Sequence, residues 1–243
     1  MDRPKSLTEL GLTARGGLTV DERRSTLGRL RSARDRRMLV TGLTVDSRAV
    51  KEGYLFAALP GAMMHGAEFI GPALRMGAAE NLTDAEGAKI AAESLAGADV
   101  ALIIAEDPRE ALAGAAALWF GAQPDCMVAV TGTNGKTSVA TFARQIWMQM
   151  GHAAINIGTT GVEGAWTAPS AHTTPDPITL HRMLATAAAE GVTHAAMEAS
   201  SHGLDQRRMD GVRLRAAGFT NFTQDHLDYH KTFDAYFAAK AAL

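Results

Sequence analysis

The chain has 243 residues, 47% of them hydrophobic and 21% charged, and a formal net charge of −2. This suits a globular protein with room for two cores, and the near-neutral balance gives no global field to gather nucleic acid or an anionic membrane. The longest strongly apolar run, Val100 to Ala105, is far too short to cross a bilayer, and Met1-Asp2-Arg3-Pro4 lacks the apolar stretch of a leader, so a cytoplasmic protein without membrane insertion is expected.

Residues 1–40 hold ten Lys or Arg against five Asp or Glu. Arg23, Arg24, Arg29, Arg31, Arg34, Arg36 and Arg37 supply most of this charge and fit the solvated face of a helix around Glu22 to Arg34. Gly42 to Arg48 reads as a short strand ending in a polar turn, and Tyr54 to Leu59 as a second strand closed by Pro60-Gly61. Ile70 to Met76 suits a helix stopped by Gly77, and Val100 to Ala105 a buried strand. Ala79-Glu80-Asn81 interrupts what should be an apolar strand after Gly77. Asp107-Pro108 opens a helix, with the acid as cap and proline in the first turn, running to about Phe120. The domain junction is placed at Asp107 to Asp125, giving domains at 1–107 and 108–243.

The second half alternates strand and helix as a mostly parallel sheet requires. Met127–Thr131, Ala153–Ile157, His194–Glu198 and Ala216–Phe222 read as strands, and Thr137–Met150, Ile178–Glu190 and Phe233–Leu243 as helices. Between them, Thr159 to Pro177 reads as a long polar loop, a length that favours function over simple linkage. Cys126 is the sole cysteine, which excludes an intrachain disulfide and an all-cysteine metal cage.

Chemistry gathers where these strands end. Gly132-Thr133-Asn134-Gly135-Lys136-Thr137-Ser138 lies between a strand and a helix. Glycines let backbone N–H groups turn toward phosphate oxygens, and the helix N-terminus adds its positive dipole end. Lys136 would reach the terminal phosphates of ATP, and the Thr137 hydroxyl would ligate Mg²⁺. Val130 stands where the common phosphate loop has its first glycine. Glu198 ends its strand in the manner of an acid that holds a nucleotide's magnesium ion. Asp225-His226-Leu227-Asp228-Tyr229-His230 offers hard oxygens with imidazole, a set better matched to Mg²⁺ or Mn²⁺ than to zinc.

Four segments together carry a family resemblance. Gly132 to Thr137, His172-Thr173-Thr174-Pro175, Met197 to Gln206 and Phe219 to His230 resemble the Mur ligase family, in its branch that adds a diamino acid. Asp46-Ser47-Arg48, Gly53 to Phe56 and Pro60-Gly61 resemble that family's nucleotide-sugar domain. The resemblance implies a small N-terminal α/β domain for UDP-MurNAc, then a mostly parallel phosphate-loop α/β ATPase domain. It implies that the amino-acid-binding third domain is absent, so that the chain is a monomeric fragment inactive alone. In the reaction it implies, ATP phosphorylates the D-glutamyl carboxylate of UDP-MurNAc-L-Ala-D-Glu, and the diamino acid's amine attacks the acyl phosphate.

Carried onto this sequence, the resemblance puts Thr137, Glu198 and His226 with metal and phosphate. Lys240 becomes a carbamylated lysine, a further magnesium ligand. Val45, Ser47, Ala62, Met63 and Met64 fall where the family holds uridine, and His172, Thr173, Thr174, Ser200, Gln206 and Arg208 where it holds the muramoyl dipeptide. Methionines at 63 and 64 weaken the case for side-chain hydrogen bonds there. Two rivals stand: a folylpolyglutamate-type ligase, which lacks the Asp46-Ser47-Arg48 domain, and a non-catalytic module that binds nucleotide or UDP-sugar.

Overall fold

Short apolar runs separated by helices have few ways to bury themselves, and this chain builds two parallel-rich sheets. The structure is a computed structural model that describes residues 3–12, 19–20, 39–96, 98 and 100–243. The helix expected around Glu22 to Arg34 lies outside the described residues. Two units divide after Trp119, inside the Asp107–Asp125 junction read from the sequence and past the 107/108 boundary set for its domains.

In the first unit, β1 (Lys5–Ser6) pairs antiparallel with β3 (Leu39–Val40). A five-stranded sheet joins β2 (Thr19–Val20), β4 (Gly42–Thr44), β5 (Tyr54–Ala57), β6 (Glu80–Thr83) and β7 (Ala101–Ile104). Its order is β2-β7-β6-β5-β4, parallel except for β2. Helix α1 (Ile70–Arg75) stops at Gly77, whose φ of 99° suits a residue without a side chain. Next come α2 (Ala85–Ile90), capped by the Asp84 carboxylate, and α3 (Ala92–Leu95). The cap of α4 (Pro108–Phe120) is as expected: Asp107 Oδ1 accepts from the Arg109 and Glu110 N–H groups at 3.0 and 3.1 Å.

The interruption expected at Ala79-Glu80-Asn81 is corrected by an unbroken β6. Backbone pairing to β5 and β7 holds the strand, and it carries Glu80 and Asn81 fully buried. Asn81 stands in register between Phe56 and Leu102, and neither amide atom has a hydrogen-bond partner. A buried polar group in that state costs about 1–3 kcal/mol. Asn81→Leu should therefore stabilise the chain by about that amount, read as a raised denaturation midpoint. An unchanged or lowered midpoint would refute it.

In the second unit, β8 (Cys126–Thr131) leads into α5 (Lys136–Gln149), β9 (Ala154–Gly158) and β10 (Gly161–Gly164). Then follow α6 (Pro177–Ala189), β11 (His194–Glu198), α7 (Ser201–Asp205), β12 (Leu214–Phe219), α8 (Leu227–His230) and α9 (Phe233–Ala241). The sheet order is β10-β9-β11-β8-β12, parallel except for β10. Leu180, Leu184 and Ala187 of α6 cover one face, packed with Met127, Ile155, Ile157 and Met197.

The expected polar loop from Thr159 is corrected in its first part, which forms the edge strand β10. Left-handed Gly161 and Gly164, at φ 98° and 125°, bracket Val162 and Glu163 and leave too short a run for periodicity to register. No helix among the described residues is long and apolar enough to cross a membrane.

Candidate nucleotide and metal site

Strand β8 lies between β11 and β12, so the loops after these three strands emerge side by side. That is where ligands sit in open parallel sheets. The loop after β8 turns on Gly132 and Gly135, at φ 134° and 85°. A side chain at 132 would collide with the Thr220 hydroxyl and come within 3.1 Å of the Asn221 backbone. Asn221 matches the loop from the other side: its O accepts from Thr133 N–H at 2.9 Å and its Oδ1 from Asn134 N–H at 3.0 Å. The Thr220 hydroxyl donates to Asn134 O at 2.6 Å. The Thr133 hydroxyl, in turn, accepts from Thr223 N–H and stands 3.2 Å from the Tyr236 hydroxyl.

Two lysines point into this loop. Lys136, in the first turn of α5, donates to Gly132 O and Thr133 O, each at 2.9 Å. Lys240, on α9 and 1% exposed, donates to the same Gly132 O at 2.7 Å and lies over the Tyr236 ring. Two cations on one carbonyl repel each other out of water. Burial, followed by the neighbouring Lys136 ammonium, pushes the Lys240 amine down to about 8, against a smaller upward pull from Asp225. Lys136 is lowered as well, chiefly by burial, with Glu198 and Asp225 opposing. An anion at the loop would relieve both lysines.

Glu198, 1% exposed at the end of β11, faces the start of α5. Its Oε2 accepts from the Thr137 hydroxyl at 2.9 Å and its Oε1 from Thr159 N–H at 3.0 Å. A hydroxyl and a carboxylate brought together beside a phosphate loop are hard-oxygen donors suited to Mg²⁺, which also keeps water and phosphate oxygens as ligands. Among the described residues, no group of three or more His, Cys, Asp or Glu side chains stands close enough to hold a metal by itself. The acids and histidines of 225–230 do not form such a group by themselves. Instead, His226, left-handed at φ 51°, pairs with Asp225 and packs its ring near those of His202 and Tyr236. His202 and His230 are both lowered, each chiefly by burial.

Beside Glu198 the dipeptide candidates form one network. The Thr174 hydroxyl donates to Glu198 O at 2.9 Å and accepts from Ser200 N–H at 3.0 Å. Arg208 donates to Thr174 O at 2.8 Å and to Gln206 Oε1, while Gln206 donates to the Tyr229 hydroxyl. Thr173 joins through its hydroxyl, 3.0 Å from that of Thr159. His172 is exposed, its carbonyl accepting from Ser170. Ser138 lies exposed in the first turn of α5. Sequence reasoning missed Thr159, Thr220, Thr223, Tyr236 and the role of Asn221. Thr220, Asn221 and Thr223 lie within the motif it singled out, whereas the contact of Thr159 to Glu198 is made by its backbone N–H, which leaves no residue-type signal.

In the first unit, Val45 and Ser47 follow β4, and Ala62, Met63 and Met64 follow its parallel neighbour β5. Ser47 opens a turn capped by Asp46, which the adjoining Arg48 holds below the usual carboxylate range. Ala62 and Val45 are exposed, as are Met63 and Met64, Met63 at 96%.

The strand, glycine loop and lysine-bearing helix define an α/β protein of the phosphate-loop type. Residues 39–119 match the Mur ligase family catalytic domain and residues 130–243 the Mur ligase middle domain; the chain belongs to the Mur ligase family. It is 55% identical over 205 residues to a UDP-N-acetylmuramoyl-L-alanyl-D-glutamate–2,6-diaminopimelate ligase of Brucella melitensis, covering 84% of this chain and 41% of that protein. A ligase of the same name from Zymomonas mobilis is 44% identical, covering 84% of this chain and 40% of its own. The chain thus spans about 41% of the length of such relatives. A solved structure of a ligase with that name superposes with a TM-score of 0.70 at 30% identity, over 85% of this chain and 41% of the other. A MurF ligase of Thermotoga maritima solved with ADP shares the fold, with a TM-score of 0.53 at 18% identity, over 84% of this chain and 42% of the other.

Proposed function

We propose that this chain is the UDP-MurNAc-binding and ATP-binding part of an ATP-dependent ligase of peptidoglycan synthesis. The reaction joins a diamino acid, 2,6-diaminopimelate by its relatives' names, to UDP-MurNAc-L-Ala-D-Glu. The observation that carries this reading is the Thr137–Glu198 pair set beside a loop into which Lys136 and Lys240 both point. A carboxylate is a poor electrophile, and converting it to an acyl phosphate supplies a leaving group. Lys136 and the loop N–H groups offset charge that develops on phosphoryl oxygens. Thr137 and Glu198 would hold a magnesium ion, joined by His226 as the family resemblance implies, and that ion would neutralise phosphate charge. Thr173, Thr174, Ser200, Gln206 and Arg208 would orient the dipeptide carboxylate, with His172 beside them. Val45, Ser47 and 62–64 would take the uridine.

Lys240 is the candidate for carbamylation: CO₂ reacts with the neutral amine, and burial beside Lys136 makes that form easier to reach. The rival reading is a non-catalytic module that binds nucleotide or UDP-sugar. ATP-dependent incorporation of labelled diaminopimelate, on this chain and on one carrying the remaining length of its relatives, separates the two. The ligase reading requires incorporation by the longer chain; its absence there leaves the binding module. Within the first unit, Ser47→Ala should weaken UDP-MurNAc-L-Ala-D-Glu binding by about 1 kcal/mol, the worth of one hydrogen bond. Calorimetry in which ATP affinity falls equally would contradict that assignment.

A further inference from the structure

Glu198 is fixed by more than the phosphate loop. Its Oε1 accepts from Thr159 N–H at 3.0 Å, and the residue before, Gly158, ends β9 against the same carboxylate. A Cβ at 158 would overlap Oε1 and lie 2.6 Å from Cδ and 2.8 Å from Cγ. Gly158 is outside the left-handed set, so its lack of a side chain answers to space rather than to backbone conformation. The Thr137 hydroxyl holds the other oxygen, so donors from two elements set the carboxylate plane. The Thr159 hydroxyl lies 3.0 Å from that of Thr173, and the adjacent Thr174 hydroxyl donates to Glu198 O.

We propose that Gly158 and Thr159 are positioning residues for the Glu198 carboxylate, and that the Thr159–Thr173 hydroxyl pair ties it to the loop that takes the acceptor dipeptide. The proposal rests on the nucleotide reading above. Acceptor held at Thr173 would bear on the metal-side carboxylate through the Thr159–Thr173 hydroxyl pair, without touching the phosphate loop.

The test is a Mn²⁺ titration of the 243-residue chain followed by electron paramagnetic resonance, with ADP present and with or without UDP-MurNAc-L-Ala-D-Glu. Gly158→Ala should weaken Mn²⁺ binding about 10–100-fold, as loss of a supporting contact to a metal ligand does, while metal-free ADP affinity holds. Adding Glu198→Asp, one methylene shorter, should recover part of the metal affinity and of the melting temperature lost in Gly158→Ala. Thr159→Val keeps the backbone N–H and should keep Mn²⁺ affinity but lose the acceptor's effect on the Mn²⁺ spectrum, which Thr159→Ser should retain. The proposal is overturned by wild-type Mn²⁺ affinity in Gly158→Ala, by equal losses of metal and metal-free ADP, by no recovery in the double variant, or by an unchanged acceptor effect in Thr159→Val. A wild-type chain that takes up no ADP would overturn the nucleotide reading and this proposal with it; normal uptake with any of those four results overturns this proposal alone.

Discussion

Lys136→Ala should abolish useful ATP binding while leaving UDP-MurNAc-L-Ala-D-Glu binding nearly intact. The side chain sits in the first turn of α5 with its amine folded onto two loop carbonyls, the place a terminal phosphate would claim. Losing one partner of a desolvated, hydrogen-bonded charge pair costs about 2–5 kcal/mol, a fall of roughly 30-fold or more in affinity. The uridine candidates belong to a separately packed unit, so the sugar nucleotide should hardly respond. Calorimetry on the variant decides this: equal loss of both ligands would mean misfolding, and unchanged ATP affinity would remove the phosphate-loop assignment.

Lys240 carries the second large effect. Its lowered amine sets a direction for stability with pH. The unfolded chain, with an ordinary lysine, binds more protons than the folded one between about pH 8 and 10.5. The contribution of Lys240 is therefore least favourable below pH 8 and improves as pH rises through that window. Lys240→Met should be more stable than wild type at neutral pH, with the advantage shrinking toward pH 10.5; a constant difference would contradict the lowered amine. Carbamylation is tested separately. Neutral amine and CO₂ give a carbamate and release a proton, turning a cation into an anionic oxygen ligand. Labelled bicarbonate should give a carbamate carbon signal in the wild-type chain that Lys240→Arg lacks. In a turnover-competent longer chain, Lys240→Ala should lose activity and recover part of it with short carboxylic acids, while Lys240→Arg stays inactive. Full activity in Lys240→Arg would show that charge suffices.

Much of the second unit was legible because its signals are local. The strand His194–Glu198 falls where its apolar run predicts, and Gly151 and Gly191, at φ 86° and 82°, end α5 and α6 as expected. Asp176 caps α6 and Pro177 opens it, one residue before the predicted start. What could not be read depended on tertiary pairing. Glu80 and Asn81 look like loop residues, yet β5 and β7 on either side draw them into a strand. β10 is too short and too glycine-rich to show alternation before β9 pairs with it. At the site, Lys136, Thr137 and Glu198 were singled out by spacing, and Lys240 by family resemblance. Gly158 and Thr159 were not, because one contributes space and the other a backbone N–H. Within 225–230, His226 pairs with its neighbour Asp225, whereas the Tyr229 hydroxyl donates to Asp205.

Sequential calorimetric titration of one sample, first with a non-hydrolysable ATP analogue and Mg²⁺, then with UDP-MurNAc-L-Ala-D-Glu, tests the central claim most directly. Two saturable sites are predicted, the first dependent on Mg²⁺ and neither ligand displacing the other. Competition between the two ligands for one site, or nucleotide binding indifferent to Mg²⁺ and to Lys136→Ala, would contradict the account.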